Sequence, residues 1–258
     1  VTPVAPGSLA YGIIGASRRR SAGASGYFAA VSALSPTAHW KLDEASGTTL
    51  SDAIGTKHLT LTGTGATMAV STGLSGVGNG INFGGSAYGK IASALTAPGS
   101  TGISLAGWVH MNGVDGNGIK PLFCASFTSH VDPFYIFKLS PGASGAGSVY
   151  EWAVNVPSGS AFADRLPSAT VMSNNAWHHF AFTYDCASHT GKMYVDNSNV
   201  VTDSGHASGS TWGTMGSFGL CVIPVLGTNI VNAKMAQWSY WNNYVLTSGD
   251  VSALWAAR

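Results

Sequence analysis

Phe180, Phe182 and Tyr184 alternate with His179, Ala181 and Thr183, the two-residue period of a strand whose faces meet different surroundings. In the stretch after it, Met193 and Val195 fall on one side and Tyr194 and Asp196 on the other; Asp196-Asn197-Ser198-Asn199 is turn composition, and Val200 and Val201 then resume. Three short consecutive strands forming a meander are predicted. The same reading places strands near 38–42, 57–62, 80–84, 87–92, 102–111, 119–127, 134–139, 148–155, 177–185, 191–196, 199–203, 216–223 and 230–241, with Gly-rich connections at 73–80, 112–118 and 141–147. That spacing belongs to an all-β sandwich. At the far end, Thr247-Ser248-Gly249-Asp250 reads as a capping box with Asp in place of Glu, and Val251, Leu254 and Trp255 follow at helical spacing. One short helix is expected to close the chain. No repeat points to a solenoid or propeller.

Residues 1–37 break the pattern. They are rich in Ala, Gly and Ser, contain Pro3, Pro6 and Pro36, and hold the basic run Arg18-Arg19-Arg20. Composition of this kind cannot bury enough surface to fold alone. The segment is expected to be an extended N-terminal anchoring arm docked onto a neighbouring subunit or partner, the alternative being a simple intramolecular tie-down. Its anchors would be Leu9, Tyr11, Ile13, Ile14, Tyr27 and Phe28, with Arg18, Arg19 and Arg20 meeting an acidic partner surface or solvent. Residues 38–258 are expected to form one β domain, a routine size for a single sandwich.

Charged residues make up 9% of the 258-residue chain, against roughly 25% in typical domains. Gly, Ser, Thr and Asn take their place, so the surface is polar but nearly uncharged. With 12 basic and 11 acidic residues, there is no field to attract nucleic acid or an anionic membrane, and a partner must be recognised by shape, stacking and hydrogen bonds. Three cysteines, Cys124, Cys186 and Cys221, are an odd number in a domain large enough to need no disulfide. Buried thiols and folding in a reducing cytoplasm are expected. No apolar run is long enough for a membrane span, and the first residues lack the order of a signal peptide.

Trp177-His178-His179-x-Ala181-x-x-Tyr184-Asp185, followed by Gly191-Lys192-x-Tyr194-Val195-Asp196, resembles the central motif of laminin G-like domains in the concanavalin A-like lectin and glucanase superfamily. Upstream, Trp40-x-Leu42-Asp43-Glu44-x-x-Gly47 and Asp52-x-x-Gly55 are similar to that family's opening strand and loop. Phe83-Gly84-x-x-x-Tyr88 and Ile103-x-Leu105-x-x-Trp108-Val109 resemble its next strands, and Leu246-Thr247-x-x-Asp250-Val251-x-x-Leu254 its closing helix. The resemblance covers roughly residues 38–258 in the family's order. It implies a two-sheet antiparallel jelly-roll sandwich.

The resemblance also implies candidate chemistry. Glucanases of this superfamily carry Glu-x-Asp-x-Glu or a one-residue variant, and retaining hydrolysis needs two carboxyl groups about 5 Å apart. Here Glu44 and Glu151 are the only glutamates, and no two acids lie two residues apart, so no enzyme activity is expected. Many laminin G-like domains bind one calcium ion at the sandwich rim. Asp52 matches that rim-loop aspartate, with Asp43 as a helper; the alternative for Asp52 is a turn former that caps its own loop. Either no cofactor or this one structural calcium ion is expected. His178 and His179, being adjacent on a strand, point to opposite faces and cannot share one ion. Glycan binding in the superfamily uses a ring stacked on a sugar face beside hydrogen-bonding groups. The candidate rings are Tyr135, Trp152, Trp212 and Trp241, with Asn117, His130 and Asp132 as polar company, each weighed against packing roles in the core or at its rim.

These observations lead to an expected non-enzymatic protein of a virion surface, a bacteriophage head decoration or tail protein. It would be made in the host cytoplasm, anchored by its arm to other virion proteins, assembled as a homo-oligomer with the trimer a common form, and able to bind a cell-surface glycan. The alternatives are a carbohydrate-binding module of a secreted bacterial protein, which would be extracellular, and a glycoside hydrolase.

Overall fold

The run Gly102–Met111 is buried at every position, so both faces of the sheet that contains it must be covered. A computed structural model of the chain describes residues 26–91, 95, 101–113, 119–127, 134–139, 151–158, 161–165, 173–204, 215–222 and 230–258. At 119–120, 126–127, 134–139, 151–158, 161–165, 203 and 215 it describes the backbone alone. In chain order the elements are α1 (Gly26–Ala33), β1 (Ala38–Trp40), β2 (Thr49–Leu50), β3 (Leu59–Gly63), β4 (Thr67–Ser71), β5 (Asn79–Asn82), β6 (Ala87–Ile91), β7 (Gly102–Met111) and β8 (Ile119–Phe127). After them come β9 (Phe134–Leu139), β10 (Glu151–Ser158), β11 (Ala161–Arg165), β12 (Trp177–Asp185), β13 (Thr190–Val195), β14 (Ser198–Ser204), β15 (Met215–Leu220), β16 (Ala233–Asn242) and α2 (Ser248–Ala256).

The strands pair into two antiparallel sheets. The first runs β14-β13-β12-β7-β16-β5-β4, and β1 pairs β16 beyond the reach of β5; the second runs β11-β10-β9-β8-β15-β6-β3-β2. Alternation sends Phe180, Phe182 and Tyr184 of β12 and Ile103, Leu105 and Val109 of β7 between the sheets. They meet Leu50, Leu59, Phe123 and Phe218 there, and Trp40 stacks on Phe218 with ring centroids 4.9 Å apart. This is the two-layer sandwich that the strand pattern and the resemblance imply. The expected meander spans 177–204, with Phe180 opposite Val195 and Thr183 opposite Lys192. The three strands β2, β4 and β11 are additions to the sequence reading.

The other face of the first sheet carries a second core. Ala106, Trp108, Ala181, Ala236 and Trp241 of the sheet pack there with Tyr27 and Val31 of α1 and Val251 and Leu254 of α2. Helix α2 starts as the sequence predicts. Thr247 is its N-cap, its Oγ1 accepts the Asp250 N–H, and the Asp250 carboxylate accepts the Thr247 N–H, a complete capping box.

Helix α1 corrects the reading of residues 1–37. From Gly26 the chain is helical rather than extended, and it is docked on its own domain. Tyr27 has no exposed surface. Its ring lies 6.1 Å from Trp108 and its hydroxyl 3.0 Å from His179 Nε2. Phe28 sits 5.2 Å from the His39 ring, under the Lys41 ammonium at 5.1 Å. Tyr27 is thereby buried by its own domain, and Phe28 is half-buried against it. The physical reason lies in the first sheet, whose outer face is apolar enough to need a lid. The remaining anchor candidates, Leu9, Tyr11, Ile13, Ile14, Arg18, Arg19 and Arg20, lie outside the described residues.

Candidate functional site

On the same outer face, beyond the helices, the β12–β13 hairpin presents its polar alternates. Antiparallel register sets Thr183 beside Lys192 and Asp185 beside Thr190, with Ala181 beside Tyr194 behind them. The chain leaving β16 folds back along this ladder and closes a cleft of about 380 Å³. Thr183, Asp185, Thr190, Lys192 and Tyr194 form one wall; Val245, Leu246, Thr247 and Ser248 form the other.

Both walls are braced. The Ser104 hydroxyl donates to the Tyr244 carbonyl at 2.8 Å and accepts the Leu246 N–H at 2.9 Å, which fixes the fold-back segment before the N-cap of α2. Across the cleft, Asp185 Oδ1 accepts the N–H groups of Ala187 at 2.8 Å and Ser188 at 3.3 Å. Burial pulls that carboxyl upward, but these N–H donors and the charge of His189 outweigh it and hold Asp185 below its ordinary pKa. It is a carboxylate at neutral pH, an acceptor rather than a proton donor. Tyr194 is buried, and burial raises its phenol. The cleft therefore offers hydroxyls, one carboxylate and one ammonium over an apolar base, a set suited to a hydroxyl-rich ligand.

None of these residues was among the sugar candidates of the sequence. Their alternation was legible, but the wall at 245–248 comes from a segment some fifty residues away. Of the sequence candidates, Trp241 is 1% exposed in the second core, and its indole N–H donates to the Leu34 carbonyl at 2.9 Å. This corrects its assignment to a sugar platform. The cause is a bulge in β16 between Ala236 and Ser239, where Gln237 has φ 56. The extra residue turns Trp238 and Tyr240 into the sandwich and Trp241 under α1. Tyr135 pairs with Cys124 and Trp152 with Lys138. Three residues of β9 separate those two registers, so the backbone sets positions 135 and 152 on opposite faces. Asn117, His130, Asp132 and Trp212 lie outside the described residues.

Asp52 closes its own loop. Oδ1 accepts the N–H groups of His39 at 3.0 Å and Ile54 at 3.2 Å, and Oδ2 accepts that of Lys57 at 3.1 Å. Asp43 pairs with the Lys41 ammonium at 3.6 Å. One carboxylate shared among three donors, with an ammonium at its helper, does not fit a calcium ion, which wants several oxygen ligands to itself. Among the described residues no three His, Cys, Asp or Glu side chains gather for a metal. Asp52→Ala is expected to cost about 2–3 kcal/mol in urea unfolding, because the buried His39 N–H and two part-buried N–H groups lose their acceptor. Added calcium is expected to leave the wild-type Tm unchanged; a clear rise would restore the ion.

His178 and His179 do point opposite ways. The His179 side chain is fully buried under α1 and α2, and desolvation lowers its pKa to about 3. His178 reaches the rim instead, against Asp196. Elsewhere burial raises the Cys124 thiol, and the Cys221 thiol donates towards Met235 Sδ at 3.5 Å. Among the described residues no helix is long and apolar enough to cross a membrane.

Residues 83–252, well over half of the chain, match a laminin G-like family model described as the concanavalin A-like lectin/glucanases superfamily. The chain belongs to this superfamily. No curated protein sequence matches it. Among solved structures, this laminin G-like chain is similar to domain 4 of AbnA, an extracellular arabinanase of family GH43 from Geobacillus stearothermophilus, in complex with arabinotriose. The identity is 17%, with 85% of this chain and 97% of that one covered, at a TM-score of 0.60. It is also similar to the binding domain of botulinum neurotoxin DC in complex with SialylT, at 8% identity, covering 87% and 52%, with a TM-score of 0.61. Trypanosoma rangeli sialidase with sialic acid shares 14% identity over 84% of this chain and 32% of that one, at a TM-score of 0.58. The laminin G-like chain thus spans about half and a third of the last two. At such identities the likeness is one of fold.

Proposed function

We propose that this laminin G-like domain is a carbohydrate-binding module that holds a neutral oligosaccharide in the cleft between the β12–β13 hairpin and the 245–248 segment, without cleaving it. The observation that carries the reading is the cleft itself. Thr190, Lys192 and Thr247 line a braced groove above the buried Thr183, with a single carboxylate, Asp185, among its described lining residues. Glycosidic hydrolysis needs two carboxyl groups, one of them protonated; Asp185 is held ionised and lacks a second beside it in that lining. Arabinotriose, a neutral sugar, in complex with a domain of similar fold supports the ligand class.

The proposed setting is the surface of a virus particle, a phage head or tail, with the domain displayed as a homo-oligomer and residues 1–25 as its attachment. The charge-poor surface composition and the apolar and arginine anchors within 1–25 support it. A carbohydrate-binding module of a secreted bacterial protein is the competing setting.

Binding is tested by titration calorimetry against neutral oligosaccharides chosen from a glycan array. Lys192→Ala and Thr183→Val are each expected to weaken binding about tenfold, the weight of one or two lost hydrogen bonds, with the fold retained. Unchanged affinity in both variants would move the ligand elsewhere. Deleting residues 1–25 is expected to leave sugar binding intact and abolish cosedimentation with particles. Cosedimentation that survives the deletion would remove the attachment role, and light scattering reads the oligomer.

A further inference from the structure

At the rim of the sandwich three side chains stand in line. His178 Nδ1 lies 2.6 Å from Asp196 Oδ2, and His178 Nε2 lies 3.0 Å from Ser173 Oγ. They come from three places: the turn before β12, the start of β12, and the turn after β13. Asp196 is fixed by the backbone before it meets the imidazole. Its N–H donates to the His179 carbonyl at 2.9 Å, and its Oδ1 accepts the His179 N–H at 2.9 Å, so Oδ2 is turned to His178.

The proton positions follow from the partners. A carboxylate can only accept, so the short contact places the ring proton on Nδ1. In the neutral ring Nε2 then carries the lone pair and can accept the exposed Ser173 hydroxyl. Nucleophile, base and orienting acid fall in the order and within the distances that acyl transfer to a serine requires. We propose that Ser173 is an activated nucleophile, with His178 as its general base and Asp196 as the residue that positions His178, and that it accepts acyl groups from small carboxylic esters.

The step balances with water as co-reactant. Ser173 Oγ bonds to the ester carbonyl carbon while its proton passes to His178 Nε2. The tetrahedral adduct expels the alcohol, which takes that proton back. Water then attacks the acyl-serine with His178 again as base, releasing the carboxylic acid and restoring Ser173. In the charged interval the imidazolium gains a second acceptor, the Ser173 carbonyl, 3.2 Å from Nε2. The hydrogen bond that His178 donates to Asp196, and then the Asp196 charge, outweigh burial and raise His178 above its ordinary pKa, which favours proton uptake from serine.

His178 shares a face of β12 with Phe180, whereas the sugar cleft uses Thr183 and Asp185 on the other face. Sugar binding and acylation can therefore fail separately. In the test, the full chain is treated with a fluorophosphonate, the adduct is located by mass spectrometry, and 4-nitrophenyl acetate hydrolysis is followed against pH. The adduct is expected on Ser173, with a rate that rises through a midpoint above 6.5. Ser173→Ala, an exposed change that leaves the fold intact, is expected to lower hydrolysis at least about a hundredfold, the usual weight of a lost nucleophile and base pair. Asp196→Asn is expected to lower the rate and move the midpoint downward. No adduct on Ser173, or hydrolysis equally fast in Ser173→Ala, overturns the proposal.

Discussion

Between pH 7 and pH 4 two histidines folded in neutral form are expected to withdraw roughly 6 kcal/mol of stability, about 3 kcal/mol each. His179 is fully buried between Tyr27, Trp108 and Trp255, and its Nδ1 has no hydrogen-bond partner. His39 is buried at the other side of α1. Its Nε2 lies 2.9 Å from Gln237 Oε1 and its Nδ1 2.7 Å from the Ser239 hydroxyl. Because the Gln237 amide nitrogen donates to the Val77 carbonyl at 2.8 Å, Oε1 faces the ring, Nε2 carries the proton and Ser239 donates to Nδ1. Burial, aided by the Lys41 charge, outweighs the Gln237 bond and nearby carboxylates and lowers His39 to about 4; desolvation lowers His179 to about 3.

The sign follows from linkage. Below 6.5 the unfolded chain takes up protons that the folded chain refuses, so stability is complete above 6.5 and drains as pH falls towards 4 and 3. His178 acts in the opposite sense. Its folded pKa is raised, so its contribution is full below 6.5 and fades as pH climbs through the folded value. The carboxylate of Asp185 adds its loss below about 3.9, under the pH 7 to 4 interval. Since whole domains hold only about 5–15 kcal/mol, unfolding near pH 4 is expected. Urea midpoints measured from pH 7.5 to 4 should fall steeply, and less so in His39→Gln. A flat midpoint would show that the imidazoles protonate in place.

Trp238→Ala is expected to cost about 3–5 kcal/mol, and Gly107 is the reason the indole fits at all. Gly107 interrupts the inward row Leu105, Val109 of β7, and a Cβ there would meet Trp238 ring carbons at 2.6 Å. The ring cannot yield, because its N–H donates to the Trp108 carbonyl at 3.0 Å and its face stacks on Phe180, 6.3 Å between centroids. Gly107→Leu is therefore expected to be as damaging as the tryptophan deletion in the wild type, through overpacking. In Trp238→Ala the same leucine enters the vacated space and should recover part of the loss. Urea unfolding of the four-member cycle reads the coupling; additive losses would mean that the two positions do not compete for space.

Most strands were legible because alternation is a local property. The ranges 102–111, 119–127, 134–139 and 177–185 stand as the sequence reading places them, and the capping box named the start of α2. Helix α1 was not legible. Gly26-Tyr-Phe-Ala-Ala-Val-Ser-Ala33 has no amphipathic stripe, and it is helical because tertiary packing holds it. A clue lay elsewhere. Ile103-Ser-Leu-Ala-Gly-Trp-Val-His-Met111 carries apolar residues on both alternating faces, Leu105 and Val109 on one and Ala106 and Trp108 on the other, which signals a strand covered on both sides.

The sequence by itself settled the class of fold, the meander, the closing helix and the absence of paired glutamates, because each depends on neighbours a few residues apart. The tertiary structure decided which ring is a core residue, where the cleft opens and which serine meets which histidine. Trp241 turned inward because one bulge reversed the parity of β16, and a reversal of parity leaves no trace in composition. The cleft and the rim trio join residues from separate turns, and only the packed sheets fix the distances between them.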